Sequence, residues 1–320
     1  MTMSETKSKI ENHPMMKKDW YYSIEIQPGI FTPGREHRNV ILTRELLKGI
    51  QVKGRNCLDI GAMEGMISIL LWRRGAAKVT SYDRIDFSEW ISFIQERLGV
   101  PFNYIKGISL NKIKEFTSPF GLYPYDVVIF SGVLYHMFDP LSGLSAVRGL
   151  TRNGGIMLME TSAVLTEKDE CLMYFNNAGR FFPGTNYWQI SFSCLDYLLR
   201  LLHFELLDVS YYKSFNVDGI QQGRIAIVCR AVDGPVVSTG DEWMPKTISE
   251  SFLPDFEEFI DWEELRINKS GDVPYESEKQ AGVFHDGTSS LNVFESVKSI
   301  PETKFTDPDA QVRLKLDAMF

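Results

Sequence analysis

What the 320-residue sequence lacks narrows it first. No run approaches the roughly 18 uncharged apolar residues of a membrane span, so no membrane partner is expected. Residues 1–19 carry Lys7, Lys9, Lys17 and Lys18 with no apolar stretch behind them, and they do not read as a signal peptide. Four cysteines, Cys57, Cys171, Cys194 and Cys229, lie far apart without a C-x-x-C pair. Three of them fall in apolar runs, which points to buried free thiols in a reducing cytoplasm. Five dispersed histidines lack ligand spacing, so no metal is expected. Repeats and low-complexity tracts are missing too.

What is present suffices for a core. Apolar residues make up 44% of the chain, which excludes wholesale disorder. The length suits one core of roughly 200 residues plus an appendage. Charge is unevenly spread. Residues 231–320 hold 19 acidic and 8 basic residues, a net of −11, and the other 230 carry +3. An acidic tail does not seek phosphate backbones, so charge lends nucleic-acid binding no support without excluding it.

From Arg55 onward, short apolar runs alternate with amphipathic patterns. Strands are expected at Cys57–Ile60, Lys78–Tyr82, Phe102–Ile105, Val127–Phe130 and Ile156–Glu160. Helices are expected at Met66–Arg74, Phe87–Leu98, Leu110–Phe116 and Leu141–Leu150, the last ended by Asn153-Gly154-Gly155. Such alternation implies an α/β fold with a parallel sheet covered on both faces. A helix over Ser193–His203, N-capped by Ser193, then leads to strands Phe204–Tyr212 and Gly223–Cys229. A loop of about ten residues between those two is too short for a helical crossover, so they should pair antiparallel.

Residues 161–192 form a long insertion rich in aromatics, including Tyr187 and Trp188, and placed as a lid over the strand ends. After Arg230 the composition shifts to Pro, Ser, Asp and Glu, with one amphipathic helix expected at Asp255–Leu265. The chain therefore divides into an N-terminal cap (1–40), a central domain (41–230) and an acidic C-terminal extension (231–320). The sequence leaves open whether that extension folds over its own pocket or onto a second subunit as a homodimer.

Two signals carry chemistry. Asp59-Ile60-Gly61-Ala62-Met63-Glu64-Gly65 stands where the first strand turns into a helix. Glycine there lets backbone approach a ligand, and the helix start supplies free N–H donors. Its spacing is wrong for the G-x-G-x-x-G of a nicotinamide site. Asp83 closes the second strand, 24 residues after Asp59, where a carboxylate can accept both ribose hydroxyls of an adenosine ligand. An ordinary tight turn and a helix cap are the plainer alternatives, and the two signals on successive strands outweigh them.

The motifs C-L-D-I-G-A-x-x-G, R-R-G-A-A-x-V-x-x-x-D and F-S-G-V-L-Y-H-M-x-D-P-L resemble those of the class I S-adenosylmethionine-dependent methyltransferases. More closely, they look like the group described as tRNA wobble-uridine (5-oxyacetic acid) methyltransferase-like. Trp20-Tyr21-Tyr22-Ser23-Ile24 with Thr32-Pro33-Gly34 is similar to the segment preceding the domain in that group. The resemblance spans about Trp20 to Arg230. It implies a Rossmann-like seven-stranded, mostly parallel sheet with an antiparallel last strand, and S-adenosylmethionine as cofactor with S-adenosylhomocysteine as product.

Position by position, the resemblance places Asp59, Gly61, Ala62 and Gly65 at the methionine end of the cofactor. Asp83 and Arg84 would hold the ribose, and Ile108 and Ser109 would flank the adenine. Ser131, Gly132 and Leu134 would approach the sulfonium, with Tyr135 and His136 at the reaction centre. Tyr21, Arg35, His37, Glu160 and Trp188 are the acceptor-side candidates. Two departures stand out. Met63 replaces the middle glycine of the usual motif and lacks its backbone freedom. Gln27 replaces a basic residue, which argues against the carboxylated donor of the tRNA enzyme. The acceptor is therefore read as a small molecule, a tRNA wobble uridine is the rival, and a non-catalytic cofactor-binding scaffold is a third reading.

Overall fold

The computed structural model describes residues 9–34, 39–165, 171–176, 179–181 and 186–234. A short hairpin, β1 (Glu25–Gln27) and β2 (Ile30–Phe31), precedes helix α1 (Asn39–Leu47). Alternation then begins with β3 (Asn56–Ile60), α2 (Met66–Arg73), β4 (Lys78–Asp83), α3 (Ser88–Leu98) and β5 (Asn103–Lys106). It continues through α4 (Ile113–Thr117), β6 (Tyr125–Ser131), α5 (Pro140–Leu150) and β7 (Thr151–Val164). Strands β8 (Met173–Phe175) and β9 (Trp188–Ser191) lead to α6 (Phe192–Leu201), and β10 (Phe204–Val217) and β11 (Ile220–Ala231) complete the sheet.

The main path runs β10-β11-β7-β6-β3-β4-β5. Strands β3 to β7 lie parallel, and β11 is antiparallel to both its neighbours. The α/β expectation and its antiparallel closing strand are thus met. Strand order reverses beside β3, where β4 lies on one side and β6 on the other. The crevice at their carboxyl ends is where open α/β sheets bind ligands.

Side chains alternate across the sheet with period two, and each face has its own core. Cys57, Val127, Ile129, Ile156 and Leu158 pack with α1, α2, α3 and the N-terminal segment. Leu58, Ile60, Val128, Phe130, Met157 and Met159 pack with α5 and α6 on the other face. Each such side chain contributes roughly 1.5–3 kcal/mol by leaving water. Burial on both faces is why these strands read as continuous apolar runs.

Four expectations need correction. Among the described residues the sheet has nine strands, because β8 and β9 of the insertion join it: β9 pairs with β7 at Ala163 and Val164, beyond the end of β6. Strand β7 is longer than Ile156–Glu160, because β11 pairs along it as far as Val164. No ten-residue loop separates the last two strands. Val217 pairs with Ile220 across a two-residue turn, Asp218-Gly219, with φ of +51° and +83°. That is the left-handed pair an Asp-Gly hairpin turn requires. Finally, the cap of α6 is Ser191, whose hydroxyl accepts from the Cys194 N–H, and not Ser193. Cys57, Cys194 and Cys229 are buried and Cys171 is exposed. The expected helix at 255–265 lies outside the described residues. No described helix is long and apolar enough to cross a membrane.

Candidate active site

The β3–α2 turn forms one wall of the crevice. Gly61 (φ +78°) passes so close to β6's loop that a Cβ there would lie 2.3 Å from Val133 Cγ2. The Gly61 and Ala62 N–H groups donate to the Tyr82 carbonyl at 2.9 and 3.1 Å, tying the turn to β4. Gly65 (φ +85°) caps α2 against Phe102 and Ile91. Met63 corrects its expectation. It takes the left-handed conformation itself, at φ +48°. Such a residue costs on the order of 1–3 kcal/mol and persists only where neighbours fix it. Here Asp83 does so: its Oδ2 accepts the Met63 N–H at 3.0 Å while Oδ1 accepts the Ile85 N–H at 2.9 Å.

Acidic groups gather under this turn. Asp59 is buried and accepts from the Ser68 hydroxyl at 2.6 Å, which leaves Ser81, 2.5 Å from Ser68, as donor in its turn. Glu64 is buried and accepts the Tyr21 N–H at 2.6 Å through Oε1. Burial pushes the Asp59 and Glu64 carboxyls each up to about 7, and it raises Asp83 as well. The Tyr22 phenol, raised first by burial, lies within range of Asp59, Glu64 and Glu160. Glu64 Oε2 has no hydrogen-bond partner.

The N-terminal segment is clamped across the same place. The Trp20 indole donates to the Met15 carbonyl at 2.7 Å and packs edge-on against Phe93. The Thr32 hydroxyl accepts the Ile24 N–H at 2.8 Å and donates to the Tyr22 carbonyl at 2.7 Å. Gly34 lies flat against the Tyr22 backbone. Together these contacts present Tyr21 and Tyr22 to the turn.

The second wall follows β6. The Ser131 and Thr43 hydroxyls are 2.7 Å apart, and the Gly132 N–H donates to the Glu160 carbonyl at 2.9 Å. A 3₁₀ turn at Leu134–His136 buries Leu134 and Tyr135 and leaves His136 exposed, its ring 4.1 Å from that of Tyr135. Arg224 of β11 lies over the Tyr135 ring at 4.6 Å. Its Nε and Nη2 donate to the two Glu160 oxygens at 2.6 and 2.7 Å. Burial alone would lower the Arg224 pKa, but Glu160 outweighs it and the net shift is upward. Glu160 is therefore committed to Arg224 by both oxygens.

The insertion closes on this turn. The Tyr187 N–H donates to the Tyr135 carbonyl and the Trp188 indole to the Phe138 carbonyl, each at 2.9 Å. Asn176 holds the hairpin, accepting the Phe181 N–H at 2.8 Å and donating to the Asn186 carbonyl at 2.9 Å. Phe138 and Tyr187 meet edge to face, as do Phe175 and Trp188.

The structure thus brings Asp59, Gly61, Ala62, Gly65, Asp83, Ser131, Gly132, Leu134, Tyr135 and His136 to one crevice rim. Ile108 follows β5, its carbonyl accepting from the Tyr82 hydroxyl at 2.7 Å, and Ser109 and Arg84 are exposed beside it. Arg35 and His37 lie outside the described residues. Gln27 lines a groove with Arg73 and Leu98 at the carboxyl ends of α2 and α3. That is the opposite end of α2 from the β3–α2 turn, so Gln27 does not face the turn. Sequence reasoning missed Arg224, a buried cation in a largely apolar strand beside another strand carrying Glu160. Among the described residues, no group of three or more His, Cys, Asp and Glu side chains is placed to hold a metal.

Residues 35–203 match the family described as methyltransferase domain. A tRNA U34 carboxymethyltransferase of Alteromonas mediterranea is 32% identical over 165 residues, 49% of this chain and 47% of that protein. A protein of the same name from Geobacter sp. is 29% identical over 181 residues, 56% of this chain and 51% of the other. The chain thus spans about half the length of the curated relatives it matches. A solved Burkholderia thailandensis 1,6-didemethyltoxoflavin-N1-methyltransferase is 18% identical, with 72% of this chain and 87% of that one covered and a TM-score of 0.43. The family match takes in more than half of the sequence, from the cap's end through β3–β9 to the end of α6. The chain belongs to the methyltransferase domain family.

Proposed function

We propose that the protein transfers a methyl group from S-adenosylmethionine to a small-molecule acceptor by in-line displacement. The observation that carries this reading is the docking of the aromatic insertion on the Tyr135 turn, through Tyr187 and Trp188. There Phe138 meets Tyr187 and Phe175 meets Trp188 edge to face, and these rings would offer an acceptor an aromatic rim.

The cofactor supplies an already activated methyl group, so the chain's own residues mainly position and dehydrate. Asp83 would receive the ribose hydroxyls, Ile108 and Ser109 would flank the base, and the Gly61–Gly65 turn would cup the amino-acid end. Gly132 leaves open backbone where the methyl must pass, since a Cβ there would touch only the Tyr135 hydroxyl, at 4.0 Å. Tyr135 is held by Arg224 from one side and by the insertion from the other, and it orients the acceptor. Exposed His136 takes the acceptor's proton where that atom is a hydroxyl or ammonium.

The rival is carboxymethyl transfer to a tRNA uridine, favoured by the names of the two relatives. A carboxylated donor needs a facing cation, and Arg224 is the one beside Tyr135. Glu160 neutralises it, however, and the turn adds Asp59, Glu64 and Asp83, so the charge of the crevice favours the cationic, ordinary donor.

Labelled methyl from S-adenosylmethionine, offered with host extract and split into metabolite and RNA fractions, tests the reading. Label is expected among the metabolites; label in RNA would overturn it. Asp83→Ala is the control. It removes the ribose acceptor and frees Met63 from its left-handed conformation, so cofactor affinity should fall at least about 100-fold by calorimetry, from two charge-assisted hydrogen bonds. A loss below about fivefold would remove Asp83 from the cofactor site.

A further inference from the structure

We propose that Cys171 and Cys194 form a reversible disulfide that pins the root of the insertion to the start of α6. The structure holds both as thiols, with Cys171 exposed and Cys194 8% exposed. Their backbones meet at one side chain. The Ser191 hydroxyl accepts the Leu172 N–H at 2.9 Å and the Cys194 N–H at 3.3 Å. The Leu172 carbonyl in turn accepts the Ser191 N–H at 2.9 Å. Cys171 is bonded to the first of those nitrogens and Cys194 carries the second. That brings the two backbones near the separation a disulfide spans, about 4.4–6.8 Å between Cα atoms.

The two side chains also act on one another. Burial pushes the Cys194 thiol up to about 12, and Cys171 adds to that rise. Cys57 and Cys229 belong to the separate cores on the two faces of the sheet, so the sheet itself stands between them.

Exposure sets the order of the chemistry. Cys171 is the thiol that a small-molecule disulfide such as oxidised glutathione can reach. Its thiolate attacks one glutathione sulfur, a protein–glutathione S–S bond forms, and the other glutathione leaves as a thiolate. Cys194 then gives its proton to water, and its sulfur attacks that of Cys171. The protein disulfide forms as the second glutathione leaves. Two protein thiols have lost two electrons, glutathione disulfide has gained them, and the two protons end on the glutathione thiols. Bonds of this kind inside cells are transient and redox-sensing.

The position gives the bond its consequence. From Ser191, β9 runs back to Trp188 and Tyr187, the contacts by which the insertion holds the Tyr135 turn. In the thiol state, hydrogen bonds at Ser191 fix that root; a disulfide fixes it covalently.

The test is oxidation of the folded full chain with oxidised glutathione, then alkylation, trypsin and mass spectrometry. Cleavage at Lys168, Arg180 and Arg200 puts the two cysteines on different peptides, 169–180 and 181–200. A linked pair of these peptides from a monomeric chain is expected, separated again by dithiothreitol. Cys194→Ser should instead keep glutathione on Cys171, and Cys171→Ser should leave Cys194 open to alkylation after unfolding. Oxidised wild type should also unfold at a higher urea midpoint than Cys171→Ser given the same oxidant, since the bond restrains the unfolded chain. Wild type that keeps glutathione on Cys171 while Cys194 is still alkylated would overturn the proposal. A linked pair formed only in urea, or only between two chains, would overturn it as well.

Discussion

Glu160→Ala is expected to destabilise the protein by about 3–5 kcal/mol, because it leaves a buried guanidinium without its carboxylate. Arg224 is 7% exposed and Glu160 fully buried, and two charge-assisted hydrogen bonds join them. Both charges lose their hydration on folding, and only their pairing offsets that loss. The remaining Arg224 would keep the Tyr135 ring against it, but a ring face replaces a carboxylate poorly. Removing both charges is a different matter. Glu160→Leu combined with Arg224→Met fills similar volume with apolar groups, and such replacements are often neutral. Urea denaturation of wild type, single and double variants measures this. The single variant should show a much lower midpoint and the double variant should recover most of it. A single-variant loss below about 1 kcal/mol would show that Arg224 finds water or another partner in place of Glu160. The same experiment separates two roles for Glu160, because an acceptor-binding carboxylate need not be missed by the fold.

Much of this architecture was legible because its physics is local. Strands β3 and β6 are buried on both faces, so they stand out as apolar runs between amphipathic helices. The β3–α2 turn and Asp83 announce themselves through glycine and a carboxylate at consecutive strand ends. Legibility failed where tertiary partners decide. Lys213, Ser214 and Asn216 of β10 are exposed and polar and read as loop, yet they belong to a hairpin arm. The Asp218-Gly219 turn was the signal that could have placed it. Strands β8 and β9 depend on the free upper edge of β7, which no local pattern encodes. Met63 shows the converse: its type argues against a left-handed turn, and a side chain 20 residues away holds it there. Glu160 looked like a strand-end ligand because nothing near it in sequence is basic; its partner lies 64 residues further on.

Gly34→Ala should cost about 2–4 kcal/mol and weaken S-adenosylhomocysteine roughly tenfold, although residue 34 touches neither the strand-end turn nor the Tyr135 loop. A Cβ at this position would fall 2.0 Å from both the carbonyl carbon and oxygen of Tyr22, and 2.6 Å from the Ser23 nitrogen. All three are backbone atoms, so no rotamer change relieves the clash, and the Tyr21–Ser23 strip must move. It is not free to do so. Thr32 bridges the Tyr22 carbonyl and the Ile24 N–H, and the Tyr21 N–H is bound to Glu64. Whichever contact yields, the clamp retreats from Glu64 and the β3–α2 turn. Gly29→Ala is the informative comparison. Gly29 has φ of +74° with nothing within 4 Å of a Cβ, so alanine there meets conformational strain alone, about 1 kcal/mol. It should leave ligand affinity unchanged. If thermal denaturation and calorimetry rank the two variants alike, the Thr-Pro-Gly segment is an ordinary turn. If Gly34→Ala loses both stability and affinity, the glycine is there because the Tyr22 backbone must pass where a side chain would stand.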